Sequence, residues 1–100
     1  MTTSKQKARG SAAERAVAAR LQGQRVGMDG GPTDVIVPGY CNIQVKNVKT
    51  MPSMAAMLDM IDRMPDDVLR AVVIIPREGR GHKARSTITF ELDAWAEWHA

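Results

Sequence analysis

The stretch GPTDVIVPGYCNIQVKN, residues 31–47, decides the fold because it predicts a β-hairpin that carries polar side chains on one face. Val35–Val37 form an apolar, β-branched segment, which favours a strand. Pro38 and Gly39 supply a turn, and residues 42–46 alternate between polar and apolar side chains like a returning strand. The stretch therefore predicts two neighbouring antiparallel strands.

The register of this hairpin follows from the length of its loop. A three-residue loop, residues 38–40, pairs apolar residues with apolar residues, whereas a two-residue loop does not. The predicted pairs are Val37 with Cys41, Val35 with Ile43, and Asp34 with Gln44. A slip of one residue would turn every side chain to the wrong face. The hydrophobic pattern thus predicts that Asp34, Gln44 and Lys46 share one face.

The periodicity of the remaining chain predicts the other elements. Residues 1–9 are polar and basic without an apolar period and predict a flexible basic arm, and residues 10–100 predict a single domain. The predicted elements are a helix capped by Ser11 and ending near Gly23, a short strand in residues 24–28, a helix from Met54 to Met64, strands in residues 71–76 and 87–92, and a last helix capped by Asp93. Together they predict an α/β fold with a mixed central sheet of four to five strands flanked by helices.

Basic residues cluster in two parts of the chain. Fourteen Lys and Arg against eleven Asp and Glu give a net charge of +3, which alone is too small to indicate a polyanionic partner. Six bases and one acid occur up to Arg25, and residues 77–85 hold four bases and one acid. Two basic regions on either side of a more acidic centre suit the phosphate backbone of a nucleic acid.

Cysteine content and hydropathy indicate the compartment. The single cysteine, Cys41, cannot form an internal disulfide, and no apolar run has the length of a membrane span or signal-peptide core. We therefore expect no membrane association and a reducing intracellular compartment, the cytoplasm. Richness in Arg, Ala, Gly and Val is compatible with a bacterial or phage-encoded protein of a GC-rich genome.

Two short motifs resemble those of a known family. Pro32-Thr33-Asp34 and Gln44-Val45-Lys46, on the two arms of a hairpin that follows a helix with Glu14, resemble the PD-(D/E)xK nuclease superfamily, whose fold is restriction-endonuclease-like. Residues 9–21, RGSAAERAVAARL, are similar to the first helix of archaeal Holliday junction resolvases. The resemblance covers about residues 9–49. It implies a Mg²⁺-dependent endodeoxyribonuclease acting on branched DNA in recombination or repair, and a homodimer.

The resemblance also assigns roles to residues. It implies catalytic roles for Glu14, Asp34, Gln44 and Lys46, and a Mg²⁺ site made by Asp34, Gln44, the Val45 carbonyl and Glu14, in which Mn²⁺ substitutes for Mg²⁺. Lys46 would orient the attacking water and stabilise the developing charge. Phosphate contacts are expected from Lys5, Lys7, Arg9, Ser11, Arg15, Lys49, Arg77, Arg80, Lys83 and Arg85. The chain departs from the family at Gln44, where Glu or Asp is usual, so this position brings no charge to the metal.

Each of these residues also has a structural interpretation. Asp34 can cap a turn, Gln44 and Lys46 can form a solvated strand face, and Glu14 can pair with a nearby base. His82 suits a solvated or phosphate-contacting role better than that of a general base. The remaining predictions are a core position for Cys41, a core or subunit-contacting role for the methionines of residues 54–64, and an anchoring role for Trp95 and Trp98.

Three other functions stay open. The chain could be a catalytically silent nuclease-fold domain that binds DNA or a partner, a superfamily nuclease with another DNA substrate, or a protein-interaction domain that uses its Met-rich helix. The sequence does not name the preferred DNA structure or sequence, the oligomeric state, the host or the pathway. It also does not show whether Gln44 leaves the site active.

Overall fold

The computed structural model describes residues 4–26, 31–77 and 85–99, with the side chains of residues 4–8 and 99 left outside the description. The helices are α1 (Ser4–Leu21), α2 (Met54–Arg63) and α3 (Leu92–His99). The strands are β1 (Gln24–Arg25), β2 (Val35–Val37), β3 (Cys41–Val48), β4 (Leu69–Pro76) and β5 (Thr87–Phe90). This is the predicted order of helices and strands.

The five described strands form one mixed sheet in the order β1-β2-β3-β4-β5. β3 and β4 are parallel, and every other neighbouring pair is antiparallel. The connection between the two parallel strands contains α2, as a parallel crossover requires. The prediction of an α/β fold with a mixed sheet is therefore confirmed.

The predicted register of the β2–β3 hairpin is also confirmed. Val35 pairs with Ile43 and Val37 pairs with Cys41. The Tyr40 N–H donates to the Val37 carbonyl at 3.0 Å and closes the three-residue loop. Gly39 within this loop has a φ of 77°, a conformation that a side chain would strain.

The sheet is covered by helices on both faces. One face packs against α1 and α3, and its buried cluster consists of Ala13, Val17, Ala18, Val35, Cys41, Ile43, Val45, Leu69, Ala71 and Val73, with Ala94 packed against it. The other face packs against α2 through Met57, Ile61, Val72 and Ile74. β4 contributes to both clusters, so the prediction of a central strand covered on both faces is correct. The predicted core position of Cys41 is confirmed too.

The α2 and α3 helices are held by local contacts. Ser53 caps α2 by accepting the Ala56 N–H at 3.1 Å, and Asp59 pairs with Arg63 at 3.1 Å. Among the predicted core methionines, Met57 and Met64 are buried, whereas Met54 is 71% exposed. The two tryptophans anchor α3 as predicted: the ring centroids lie 4.8 Å apart for Phe90 and Trp95, and 5.8 Å apart for Tyr40 and Trp98.

Two predicted helix starts are wrong. α1 begins at Ser4 rather than near Ser11, so residues 4–9, which were assigned to a flexible arm, have helical backbone. Lys, Gln, Ala and Arg in this segment favour a helix, and the cost of Gly10 inside it, about 1 kcal/mol, is small enough to be tolerated. α3 begins at Leu92 and holds Asp93 in its first turn, where a negative charge is favourable, so Asp93 is not the cap.

Within the described ranges, no helix is both long enough and apolar enough to cross a membrane.

Candidate functional site

The second half of β3, residues 44–48, which we call the upper half, has no neighbouring strand on one side among the described residues. β2 pairs with β3 only as far as Ile43, so residues 44–48 pair, among the described strands, with β4 alone. We call the uncovered side of residues 44–48 the open edge. The backbone N–H and C=O of every second residue on this edge must find partners other than a strand.

Asp34 lies at the open edge because it immediately precedes β2. Its backbone N–H donates to the Ile43 carbonyl at 2.8 Å, and its own carbonyl accepts the Val26 N–H at 2.9 Å. The Asp34 carboxylate then continues the ladder, since its Oδ2 accepts the Val45 N–H at 2.8 Å. A carboxylate has about four lone-pair positions, so this bond leaves capacity for a further ligand. The structural role of Asp34 therefore differs from the predicted turn cap, because its carboxylate bonds to a neighbouring strand.

The Val45 backbone faces the same edge as the Asp34 carboxylate. In an extended strand, the N–H and C=O of one residue point to the same side, so the Val45 carbonyl also faces the open edge. This places a neutral oxygen donor beside a charged one, as the predicted metal site requires.

Electrostatic effects at Asp34 show which charges surround it. Burial raises the pKa of the Asp34 carboxyl above its ordinary value, and the nearby Glu14 charge raises it further. The hydrogen bond from Val45 and the positive charges of Lys46 and Arg25 act in the opposite direction and lower the pKa. The charges of one further acid and two bases therefore act on Asp34 at the open edge.

Glu14 reaches this region from α1 and is paired with Arg25. Its Oε1 lies 3.2 Å from the Arg25 Nε, and the side chains are 22% and 35% exposed, respectively. The Arg25 Nη2 makes a longer contact of 3.5 Å to the Ser11 Oγ. The predicted pairing of Glu14 with a nearby base is confirmed, whereas its role as a metal ligand stays a prediction.

Arg25 was not among the predicted site residues. β1 places it opposite Val35, one residue after Asp34, so its side chain points to the face that α1 covers. The signal in the sequence was the short predicted strand in residues 24–28, because a strand beside the hairpin brings its own side chains next to Asp34. Residue spacing alone could not tell which neighbour β1 would have.

Gln44 and Lys46 lie on β3 with side chains on the α2 face of the sheet. They are half-buried, and they pair with Val72 and Ile74 of β4, which belong to the cluster under α2. The confirmed register places position 34 opposite position 44, so both residues share one face with position 34, as the sequence predicts. Their polar ends thus lie at the margin of an apolar cluster and not on a fully solvated strand.

Asn42 is a buried polar residue on the same face that the sequence analysis did not select. It is 5% exposed, and its Nδ2 donates to the Pro65 carbonyl at 3.0 Å and to the Asp67 Oδ1 at 3.2 Å. These bonds tie the start of β3 to the connection between α2 and β4. Asn42 therefore fixes the strand that carries the site, and its Nδ2 is occupied by structural partners.

The predicted phosphate-contacting residues are spread over the molecule. Arg9, Ser11 and Arg77 are half-buried, and Arg15, Lys49 and Arg85 are exposed. The side chains of Lys5 and Lys7, and all of Arg80, His82 and Lys83, lie outside the described residues. Among those whose side chains the structure describes, Ser11 contacts Arg25, at 3.5 Å from the Arg25 Nη2.

The donors at the open edge fit Mg²⁺ in kind. Among the described residues, no group of three or more His, Cys, Asp or Glu side chains is placed to hold a metal ion. Mg²⁺ is usually bound by one or two carboxylates together with waters and substrate phosphates, not by a full protein cage. Asp34 and the Val45 carbonyl at the edge match that pattern, with Glu14 near them on the α1 face and Gln44 on the α2 face of the sheet.

The described grooves lie elsewhere. One, of about 510 Å³, runs between α1 and the strands β4 and β5 and is mainly apolar, and one of about 890 Å³ lies between α3 and the end of α2. Neither groove is lined by Asp34, Gln44 or Lys46.

Comparisons with known proteins add nothing to this assignment: no protein-family model, no curated protein and no solved structure matches the chain.

Proposed function

We propose that the protein is a Mg²⁺-dependent endodeoxyribonuclease of the PD-(D/E)xK type, with a restriction-endonuclease-like fold. The observation that carries this proposal is the Asp34 carboxylate bonded to the Val45 N–H at the open edge of β3, with the charges of Glu14 and Lys46 close enough to shift the Asp34 pKa. A carboxylate at this edge, a second carboxylate and a lysine nearby, and a backbone carbonyl directed to the same edge are the donor types that phosphodiester hydrolysis needs. The mixed five-stranded sheet with helices on both faces agrees with the architecture that the resemblance implies.

Each site residue has a distinct task in this proposal. Asp34, Glu14, Gln44 and the Val45 carbonyl hold the cation, which neutralises charge on the phosphoryl oxygen and lowers the pKa of a bound water. Lys46 orients the attacking water and stabilises negative charge that develops on the phosphate. The rigid β3–β4 pairing holds Gln44 and Lys46 in place, since reacting groups lose rate when misplaced.

DNA is the proposed substrate because exposed basic residues lie on three different segments of the fold. Arg15 on α1 and Lys49 after β3 are exposed, as is Arg85 before β5. Contacts from such residues to phosphates hold DNA without reading its sequence. A branched or otherwise structured substrate and a homodimer are proposed from the resemblance to Holliday junction resolvases, because a junction needs two symmetric cuts and one chain offers one site. A cytoplasmic, bacterial or phage-encoded setting belongs to the same proposal.

The test is cleavage of labelled four-way junction, nicked, flap and linear duplex DNA in Mg²⁺, Mn²⁺ or EDTA. We expect cutting in either metal, none in EDTA, and the fastest cutting on the junction. Lys46→Ala should lose activity by about a hundredfold or more, because it removes a charge that stabilises the transition state. Arg63→Gln, which removes an exposed ion pair on α2, is the matched control and should cut normally. Equal rates for Lys46→Ala and the native protein would contradict the proposal.

A catalytically silent DNA-binding domain is the second candidate. It is favoured by the pairing of Glu14 with Arg25 and by the missing charge at Gln44, both of which weaken a metal site. Gln44→Glu separates the two functions: a silent domain gains cleavage with unchanged DNA affinity, whereas a working nuclease already cuts with glutamine in place. A nuclease with another DNA substrate would show itself in the substrate ranking.

A further inference from the structure

At the open edge of β3, Asp34 lies close to the Arg25–Glu14 ion pair and to Lys46, and the formal charges of these four side chains cancel. Asp34 and Glu14 each carry one negative charge, and Arg25 and Lys46 each carry one positive charge close enough to affect Asp34. Arg25 is bonded to Glu14 at 3.2 Å. Gln44, at the usual carboxylate position, supplies an oxygen but no charge. A divalent cation approaching the free protein therefore meets a set of donors with no net attraction.

The backbone geometry fixes Arg25 in this position. β1 pairs with β2 through Arg25 and Val35, and the next residue, Val26, donates to the Asp34 carbonyl at 2.9 Å. The guanidinium is then held between Glu14 and Ser11 of α1. Arg25 is thus anchored at its backbone and at its charged end, and its charge stays beside the two carboxylates.

A DNA phosphate would change this balance. It brings one negative charge and oxygen ligands to the site. A divalent cation requires this charge because the charges of the protein side chains at the site sum to zero. If phosphate tightens cation binding, the cation must tighten DNA binding by the same factor. The two ligands then bind together more strongly than either binds alone.

We propose that Arg25, with Lys46, makes cation binding at the open edge conditional on a DNA phosphate, so that metal and DNA bind cooperatively. This inference rests on the proposed nuclease function. Arg25 acts here as a positioning residue, because it holds Glu14 and supplies the countercharge without contacting the reacting groups.

The test is Mn²⁺ binding measured by the electron paramagnetic resonance signal of the free ion. Each protein is titrated alone and with a four-way junction whose phosphorothioate linkages slow cleavage, and the junction alone serves as the blank. We expect DNA to tighten Mn²⁺ binding to the native protein by about tenfold or more, the size expected for a unit charge a few ångströms from a divalent ion in a water-like environment. Arg25→Gln should bind Mn²⁺ alone about tenfold more tightly than the native protein and gain less from DNA.

Two further variants act as controls. Arg25→Lys keeps the positive charge and should behave like the native protein. Arg63→Gln breaks a similar ion pair, with Asp59 at 3.1 Å on α2, and should also leave Mn²⁺ binding unchanged. Circular dichroism of each variant checks that it is folded.

The outcomes separate this inference from the proposed function. DNA binding with the same Mn²⁺ affinity in its presence and absence overturns the cooperativity while leaving the nuclease proposal intact. Unchanged Mn²⁺ affinity of DNA-free Arg25→Gln overturns the role of Arg25. A gel shift that shows no DNA binding by the native protein at any metal concentration overturns the nuclease proposal itself, and with it this inference.

Discussion

The two halves of β3 differ in what covers their edges. In the lower half, Cys41–Ile43, β2 pairs on one side and β4 on the other, and the side chains are buried. In the upper half, residues 44–48, β4 pairs alone among the described strands, and half-buried Gln44 and Lys46 appear. One strand thus serves as core at one end and as a candidate site at the other.

The difference comes from the point where β2 begins. Because β2 starts at Val35, the Val45 N–H has no strand partner, and the Asp34 carboxylate takes it. Leaving such a group unpaired would cost about 1–3 kcal/mol. The same bond that completes the ladder holds a carboxylate against a polar strand face. A site of this kind arises where one strand extends beyond the end of the neighbouring strand.

The largest expected effect is in the lower half. Ile43→Ala should reduce the free energy of unfolding by about 2–5 kcal/mol, because Ile43 is 0% exposed and its loss leaves a cavity. Lys46→Ala in the upper half should cost less than about 1 kcal/mol, since Lys46 is half-buried at the margin of the core and its loss leaves no enclosed cavity. Urea unfolding followed by circular dichroism measures both. Similar losses in the two variants would remove the distinction between the halves.

The next effect concerns Gly23, which lies between α1 and β1 and packs closely against β2. A Cβ on Gly23 would lie 2.9 Å from the Ile36 carbonyl oxygen, so Gly23→Ala should cost about 1–3 kcal/mol. Gly10→Ala is the control, because a Cβ there meets nothing within 4 Å and a helix gains about 1 kcal/mol from the change. Thermal unfolding should therefore shift in opposite directions. A stabilising Gly23→Ala would show that β1 does not pack as closely as described.

Two substitutions of Asp34 distinguish its structural role, the bond to Val45, from its proposed role in cation binding. Asp34→Ala should cost about 1–3 kcal/mol, because it leaves the Val45 N–H unpaired. Asp34→Asn keeps an oxygen acceptor and should cost less, while still removing the charge that a cation needs. Urea unfolding gives the first comparison and Mn²⁺ binding the second. Equal stability of the Ala variant and the native protein would show that the Val45 bond is unimportant.

The pH dependence gives a smaller effect with a definite sign. Burial raises the pKa of Asp34 above the ordinary value of 3.8, so the folded state binds this proton more tightly than the unfolded state. The stability that this proton contributes is fully present below the unfolded pKa and is lost as pH rises through the folded pKa. The native protein should therefore lose stability relative to Asp34→Asn as pH rises from about 3 to 6. A relative gain over that range would contradict the assigned environment.

The sequence was sufficient to predict the hairpin because one register pairs its apolar residues with one another. Pairing Val35 with Ile43 buries apolar side chains, and that choice alone places Asp34 beside the strand of Gln44 and Lys46. Register and face are properties of a local pattern, so a local pattern can predict them. The metal-binding and catalytic roles of these residues stay predictions.

The rest depended on contacts between distant parts of the chain. Arg25 meets Glu14 only because β1 adds to β2 while α1 packs across both, and Asn42 finds its partners after α2. The start of α1 was missed for another reason: residues 4–9 show no apolar period in the sequence, yet their helix propensity extends the helix to Ser4.

The measurement that tests the central claim most directly is single-turnover cleavage of a labelled four-way junction in Mg²⁺ by the native protein and by Asp34→Asn, with both shown to be folded by circular dichroism. We predict that the native protein cuts the junction and that Asp34→Asn is slower by about a hundredfold or more, because the site then loses its main anionic ligand. Equal rates in the two proteins, or a native protein that cuts no DNA, would contradict the claim that the open edge of β3 is a nuclease site.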